Sequence, residues 1–138
     1  MERLLVAAVL VVVAVVVALV AGRRRRPDAP TQPSWSVPSV VDRSEFPRPE
    51  APWLVAVFTS ATCATCHQVV EAAGPLESDA VVVFEAELGA ARALHDRYSI
   101  DAVPTLVIAD ASGVVKGSYV GPVTATELWA RVAELRGD

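Results

Sequence analysis

The chain has only two cysteines in 138 residues, too few to staple a small domain, so a folded core must carry its stability. Methionine occurs once, as Met1, which leaves no internal thioether for a metal or a haem iron. No internal repeat is present, and that excludes a solenoid or propeller. Positive charge is scarce beyond the first 26 residues. Arg3 and the arginines at 23–26 against Glu2 give that stretch +4, and with a total of −4 the remaining residues carry −8. An acidic domain of this kind is unsuited to nucleic acid. What the chain has in excess is apolar residues, 53% with a mean hydropathy of +0.42, against about 45–50% in ordinary soluble domains.

Much of that excess lies in residues 4–21, which are Leu, Val and Ala without exception. Eighteen helical residues span about 27 Å, close to the hydrocarbon core of a bilayer. A cleaved signal fits less well: Glu2 offsets Arg3, the apolar stretch exceeds the usual ~7–15 residues, and Leu19-Val20-Ala21 is a poor cleavage site. The expectation is one N-terminal transmembrane helix within an anchor of residues 1–26. The arginines at 23–26 follow it at once, and basic residues beside a span stay on the cytoplasmic side. The C-terminal domain is therefore expected at the cytoplasmic face of the cell membrane. Pro27, Pro30 and Pro33 make residues 27–34 an extended linker, and the domain itself is expected over residues 35–138.

Within the domain, residues 53–58 (WLVAVF) are an uninterrupted apolar run, the pattern of a strand buried on both faces, and residues 105–109 (TLVIA) read as another buried strand. Residues 81–84 and 114–120 read as further strands, the last after a loop of Asp110-Ala-Ser-Gly113. A helical segment over 63–73 is ended by Gly74-Pro75. Another over 88–98 carries the stripe Leu88, Ala91, Leu94 and Tyr98, with His95 on the surface. The final helix is capped by Thr124 and presents Leu128, Trp129, Val132 and Leu135. Asp42 and Glu45 have the spacing of a capping box for a short turn. Trp53, Phe58 and Trp129 read as core aromatics. The order is strand, turn, strand, helix, strand, helix, strand, strand, helix, which describes an α/β sandwich with a central sheet.

Both cysteines fall in Cys63-Ala64-Thr65-Cys66, where a buried strand turns into a helix. Free N–H groups and the dipole at a helix start stabilise an anion, so Cys63 is expected to be partly thiolate. Cys66 lies one turn on along the same face, able to close a disulfide and to resolve a mixed disulfide formed by Cys63. His67, when protonated, would favour the thiolate further. The strand, the C-x-x-C opening a helix, and Val103-Pro104-Thr105 placed so that Pro104 follows Cys66 by 38 residues together resemble the thioredoxin superfamily, from about Trp35 to the C-terminus. That resemblance implies a thioredoxin-like sandwich, a mixed sheet flanked by helices, and thiol-disulfide oxidoreductase activity. It implies a cis Pro104 beside the cysteines, Val103 receiving substrate as an added strand, and Gly121 lining the same groove, with Thr62 just ahead of the first cysteine. A protein disulfide substrate and a dithiol or reductase electron donor are the implied partners.

The chain departs from thioredoxin proper at three places. Thr62 stands for a Trp, Ala64-Thr65 for Gly-Pro, and Val57 for the buried acid that assists the resolving cysteine, so the Cys66 proton must pass to water or His67. A cytoplasmic site faces a reducing thiol pool, which favours a dithiol that reduces protein disulfides. An extracytoplasmic domain would instead serve thiol maintenance or cytochrome maturation. A non-catalytic interaction module has no chemical need for the cysteine pair. Cys63-Ala-Thr-Cys66-His67 is also the attachment motif of c-type haem, but the chain lacks a second methionine ligand and haem leaves Val103-Pro104-Thr105 unexplained. Zinc on Cys63, Cys66, His67 and His95 lacks two separated ligand pairs. No metal or other cofactor is expected. Glu85 and Glu87 read as solvated charges with at most a modest influence on the site.

Overall fold

The structure, a computed structural model, describes residues 1, 2, 6, 7, 10–17 and 35–137. Residues 10–17 are helical and exposed. Among the described residues no helix is long and apolar enough to cross a membrane. The expected transmembrane segment at 4–21 lies partly outside the described residues, and the arginines at 23–26 and the linker at 27–34 lie wholly outside them. The structure therefore does not show a spanning helix.

From Trp35 onward the chain forms a compact unit. Its elements are β1 (Trp53–Thr59), α1 (Cys66–Ala73), β2 (Val81–Glu87), α2 (Arg92–Arg97), β3 (Thr105–Asp110), β4 (Val115–Val120) and α3 (Ala125–Arg136). The strands form one mixed sheet in the order β2-β1-β3-β4, parallel between β1 and β2 and antiparallel elsewhere. Central placement explains the apolar runs at 53–58 of β1 and 106–109 of β3. Leu54, Ala56 and Phe58 face a cluster with Phe46, Tyr98 and Val107, whereas Val55 and Val57 face Val69 of α1 and Leu128 and Val132 of α3. Edge strand β4 instead alternates half-buried and exposed positions, as a one-sided strand must.

The expected opening strand shrinks to a single bridge, Val40 with Val114. Val41 N–H donates to the Gly113 carbonyl at 2.8 Å and Val115 N–H to Ser39 at 2.9 Å. Pro38 and the prolines at 47, 49 and 52 remove the donors a longer ladder needs. Residues 39–46 become a strap. Asp42 caps the 3-10 turn Arg43–Glu45, accepting the Ser44 N–H at 3.0 Å. Glu45 does not complete a capping box; it accepts the Tyr98 hydroxyl and pairs with Arg97 at 2.8 Å. The Tyr98 oxygen in turn accepts the Asp42 N–H at 2.9 Å. Buried Arg43 donates to the carbonyls of Ala51 and Asp110, both at 2.9 Å. Since Trp53 and Asp110 are in register, the strap is fastened at the end of the sheet where β1 begins.

Two helical expectations change. The segment 88–98 contracts to α2, because Glu87 holds the turn before it: its carboxylate accepts the Ala90 N–H at 3.1 Å and its carbonyl the Ala91 N–H at 2.7 Å. His95, expected on the surface, is buried with 3% exposure. Its Nε2–H donates to the Ala86 carbonyl at 2.7 Å, and Phe58 meets the ring edge to face with centroids 5.2 Å apart. Trp129 is the reverse, 44% exposed rather than core; its indole N–H donates to the Ala72 carbonyl at 2.7 Å and so fastens α3 to α1. Thr124 does cap α3, accepting the Glu127 N–H at 3.3 Å.

Candidate functional site

β1 delivers the chain to the site. After Thr59 the backbone turns, with Cys63 N–H donating to the Ser60 carbonyl at 3.1 Å, and α1 opens at Cys66 behind Thr65. The helix thus starts three residues later than the sequence suggested, leaving Cys63 just ahead of the free N–H groups of its first turn. No acid lies in that turn to oppose an anion. Cys63 and Cys66 are joined as a disulfide, S–S 2.05 Å with Cα atoms 5.5 Å apart. Cys63 is half-buried and Cys66 is buried. The Thr65 hydroxyl lies 3.9 Å from the Cys63 sulfur. An accessible sulfur backed by a shielded partner is an arrangement that can undergo thiol–disulfide exchange.

The Val103–Pro104 peptide is cis, and buried Pro104 leads directly into β3. Gly121 N–H donates to the Pro104 carbonyl at 2.8 Å. Its φ of +95 lies in the left-handed region that favours glycine. Val103, Pro104 and Gly121 are thereby brought together. Phe58 is in register with Thr105, so this cluster stands at the sheet end from which β1 leaves for Cys63. Thr62 is exposed, its hydroxyl 3.0 Å from that of Ser60. His67 is not turned inward: its side chain is 79% exposed and pairs with Glu71 at 3.1 Å. His95 lies against Ala86, and among the described residues no group of three or more His, Cys, Asp or Glu is placed to hold a metal.

The acids of β2, expected as solvated charges, instead hold the end of β1 and the turn after it. Glu85 accepts the Thr59 hydroxyl at 2.7 Å. Glu87 accepts the Ala61 N–H at 3.2 Å, and Leu88 N–H donates to the Thr59 carbonyl at 2.9 Å. The Gly89 amide above all, with those of Ala90 and Ala61 and the nearby His95, holds the Glu87 carboxyl below the ordinary carboxylate value, against an opposing effect of burial. The two acids alternate along one strand, but only the parallel register, Val57 with Glu85 and Thr59 with Glu87, brings them against the loop that carries Cys63.

No protein-family model matches the chain, and no curated protein matches it by sequence. Solved structures do. A mutant thioredoxin from Halobacterium salinarum aligns with a TM-score of 0.53 at 23% identity, covering 61% of this chain and 74% of that one. The germline-specific thioredoxin Deadhead from Drosophila melanogaster aligns with a TM-score of 0.55 at 21% identity, covering 63% and 84%. These are likenesses of fold. From Trp35 the chain folds as a thioredoxin-like α/β domain, a mixed four-stranded sheet flanked by helices.

Proposed function

We propose that the chain is a thiol-disulfide oxidoreductase that reduces protein disulfides through a Cys63/Cys66 dithiol. The observation that carries this reading is the half-buried Cys63 joined to buried Cys66 at the sheet end that also holds cis Pro104. The Cys63 thiolate attacks a substrate sulfur and forms a mixed disulfide, releasing the first substrate thiol. Cys66 then attacks Cys63 Sγ, the second substrate thiol leaves, and two electrons have passed to the substrate. Val103, Pro104, Gly121 and Thr62 form the rim along which an extended substrate segment pairs with the Val103 backbone. A dithiol or reductase partner restores the reduced pair; no metal or other cofactor takes part. The test is insulin reduction by the full chain with dithiothreitol as donor. The wild type accelerates it, and the double variant Cys63→Ser/Cys66→Ser gives the rate of dithiothreitol alone. Equal rates for the two proteins would sink the reading.

We also propose that residues 4–21 tether the chain to the cell membrane with the domain at its cytoplasmic face. Support comes from the unbroken apolar run and the arginines at 23–26. A membrane-impermeant maleimide added to intact cells, after mild reduction, should label Cys63 only once the cells are permeabilised. Strong labelling beforehand would place the domain on the other side.

A further inference from the structure

We infer that the disulfide substrates of this chain carry a basic residue close to the cysteine, and that Glu71 of α1 and Glu127 of α3 select it; this rests on the dithiol reading above. A groove of about 540 Å³ runs between α1 and the turn that leads from β4 into α3, within the range of about 300–1,000 Å³ usual for binding sites. Its floor is apolar. Ala72 and Val123 are buried, Ala125 is half-buried, and Pro122 lines it next to Gly121. Glu71 stands on the α1 side and Glu127 on the α3 side, both exposed. Among the described residues no lysine or arginine lines it. The groove continues from the sulfur pair and its rim: α1 begins with Cys66, and Gly121, whose N–H holds the Pro104 carbonyl, leads directly into Pro122. Glu71 lies five residues beyond Cys66 in α1, about 7.5 Å along the helix. About two or three residues of extended substrate cover that distance.

An apolar floor between two carboxylates suits one kind of side chain. An apolar residue would cover the floor but take water from carboxylates it cannot pair, and an acidic one would bring a third negative charge. A lysine or arginine lays its methylene stem on the floor and keeps its charged head at the rim with the acids. Both acids are open to it. Glu71 pairs with His67 in solvent at 3.1 Å, a contact that a substrate cation can share. Among the described residues no ion pair takes Glu127, and Arg131, one turn beyond it, is turned to Glu134 and to the Lys116 carbonyl.

Charge is distributed along the sheet in the same sense. Glu85 and Glu87 lie at the end of β2 that meets the turn after β1, and Asp101 is exposed in the loop before Pro104. The cations are drawn to the opposite end. Arg43 and Lys116 bind at Asp110, where β3 finishes, and Arg48 binds at Val81, where β2 starts. Arg97 joins the strap, and Arg131 and Arg136 occupy the second half of α3. Arg92, at the start of α2, is the exception. Carboxylates left unbalanced around the sulfur pair make a negative field that draws cationic partners toward it.

The experiment uses synthetic peptides closed by an internal disulfide and identical except for lysine, glutamine, leucine or glutamate placed about two residues from each cysteine. The full chain reduces them with dithiothreitol as donor, and each kcat/KM is divided by the rate of dithiothreitol alone on the same peptide, which removes the intrinsic reactivity of the disulfide. At low ionic strength the wild type favours the lysine peptide over the glutamate peptide by about tenfold, and the preference shrinks toward unity in about 1 M salt. Glu71→Gln/Glu127→Gln no longer distinguishes lysine from glutamine, and Glu71→Lys/Glu127→Lys favours glutamate. Glu134→Gln, which removes a charge from α3 outside the groove, keeps the wild-type preference. Equal values for the lysine and glutamate peptides in the wild type, a leucine peptide that outruns the lysine one, or a Glu71→Gln/Glu127→Gln protein with the wild-type preference overturns the inference. A wild type that reduces none of the peptides faster than dithiothreitol alone defeats the dithiol reading instead.

Discussion

Cys66→Ser, reduced and mixed with a disulfide-bonded protein, should accumulate a covalent adduct through Cys63 that only added reductant releases, while its turnover falls by about two orders of magnitude or more. The asymmetry comes from burial. Cys63 is half-buried, whereas Cys66, the first residue of α1, is buried. A serine hydroxyl is not ionised near neutral pH and does not attack a disulfide, so the mixed disulfide persists once Cys66 is gone. Cys63→Ser should lose turnover to the same extent and trap nothing. Non-reducing gels with mass mapping of the linked peptide read both results. Equal trapping by the two variants would contradict the assignment of attacking and resolving roles.

Gly113→Ala is expected to be the most damaging methyl addition in the domain. The residue has φ +86, and a Cβ there would stand 1.9 Å from the Val41 carbonyl oxygen. Left-handed backbone alone costs an L-residue about 1–2 kcal/mol. The contact also forces apart the strap and the β3–β4 turn, breaking the 2.8 Å bond from Val41 N–H to the Gly113 carbonyl. Together these put the loss at about 3–5 kcal/mol, in the range reserved for strain and disrupted buried networks. Gly121→Ala separates the two contributions, because φ is +95 but nothing lies within 4 Å of the added atom; about 1–2 kcal/mol is expected there. Urea unfolding of the full chain measures both. A Gly113→Ala loss no larger than that of Gly121→Ala would show that the strap contact contributes nothing.

The parts of this domain legible in its sequence are those where one constraint dominates. WLVAVF and TLVIA sit in the two central strands, where burial on both faces confines polar residues to the strand ends, at Thr59, Thr105 and Asp110. The Cys63 and Cys66 pair and the Val103-Pro104-Thr105 sequence are local patterns with fixed spacing, so the fold they resemble could be recognised from them. What escaped depends on register. Glu85 meets Thr59, and Glu87 meets Ala61, only because β1 and β2 align in parallel with Val57 beside Glu85; no periodicity within β2 shows it. His95 escaped because the stripe of Leu88, Ala91, Leu94 and Tyr98 assumed a helix of three turns. Once Glu87 shortens α2, the histidine packs inward and finds its partner in the Ala86 carbonyl. The size of Trp129 suggests core, whereas its N–H needs a polar partner at the rim and finds Ala72.

The strap over residues 39–46 also determines how the domain bears mechanical load. It grips the β3–β4 turn and the start of β1, whereas the sulfur pair stands beyond the far end of β1, seven residues away, about 20 Å at strand spacing. Pulling or drag transmitted along the chain ahead of Trp35 is taken up first by the Val40–Val114 bridge, the Arg43 donors and the Tyr98–Asp42 bond. Those contacts yield before any force reaches the turn at Cys63. The end of the sheet that carries Cys63 is thereby mechanically insulated from the end that the strap fastens.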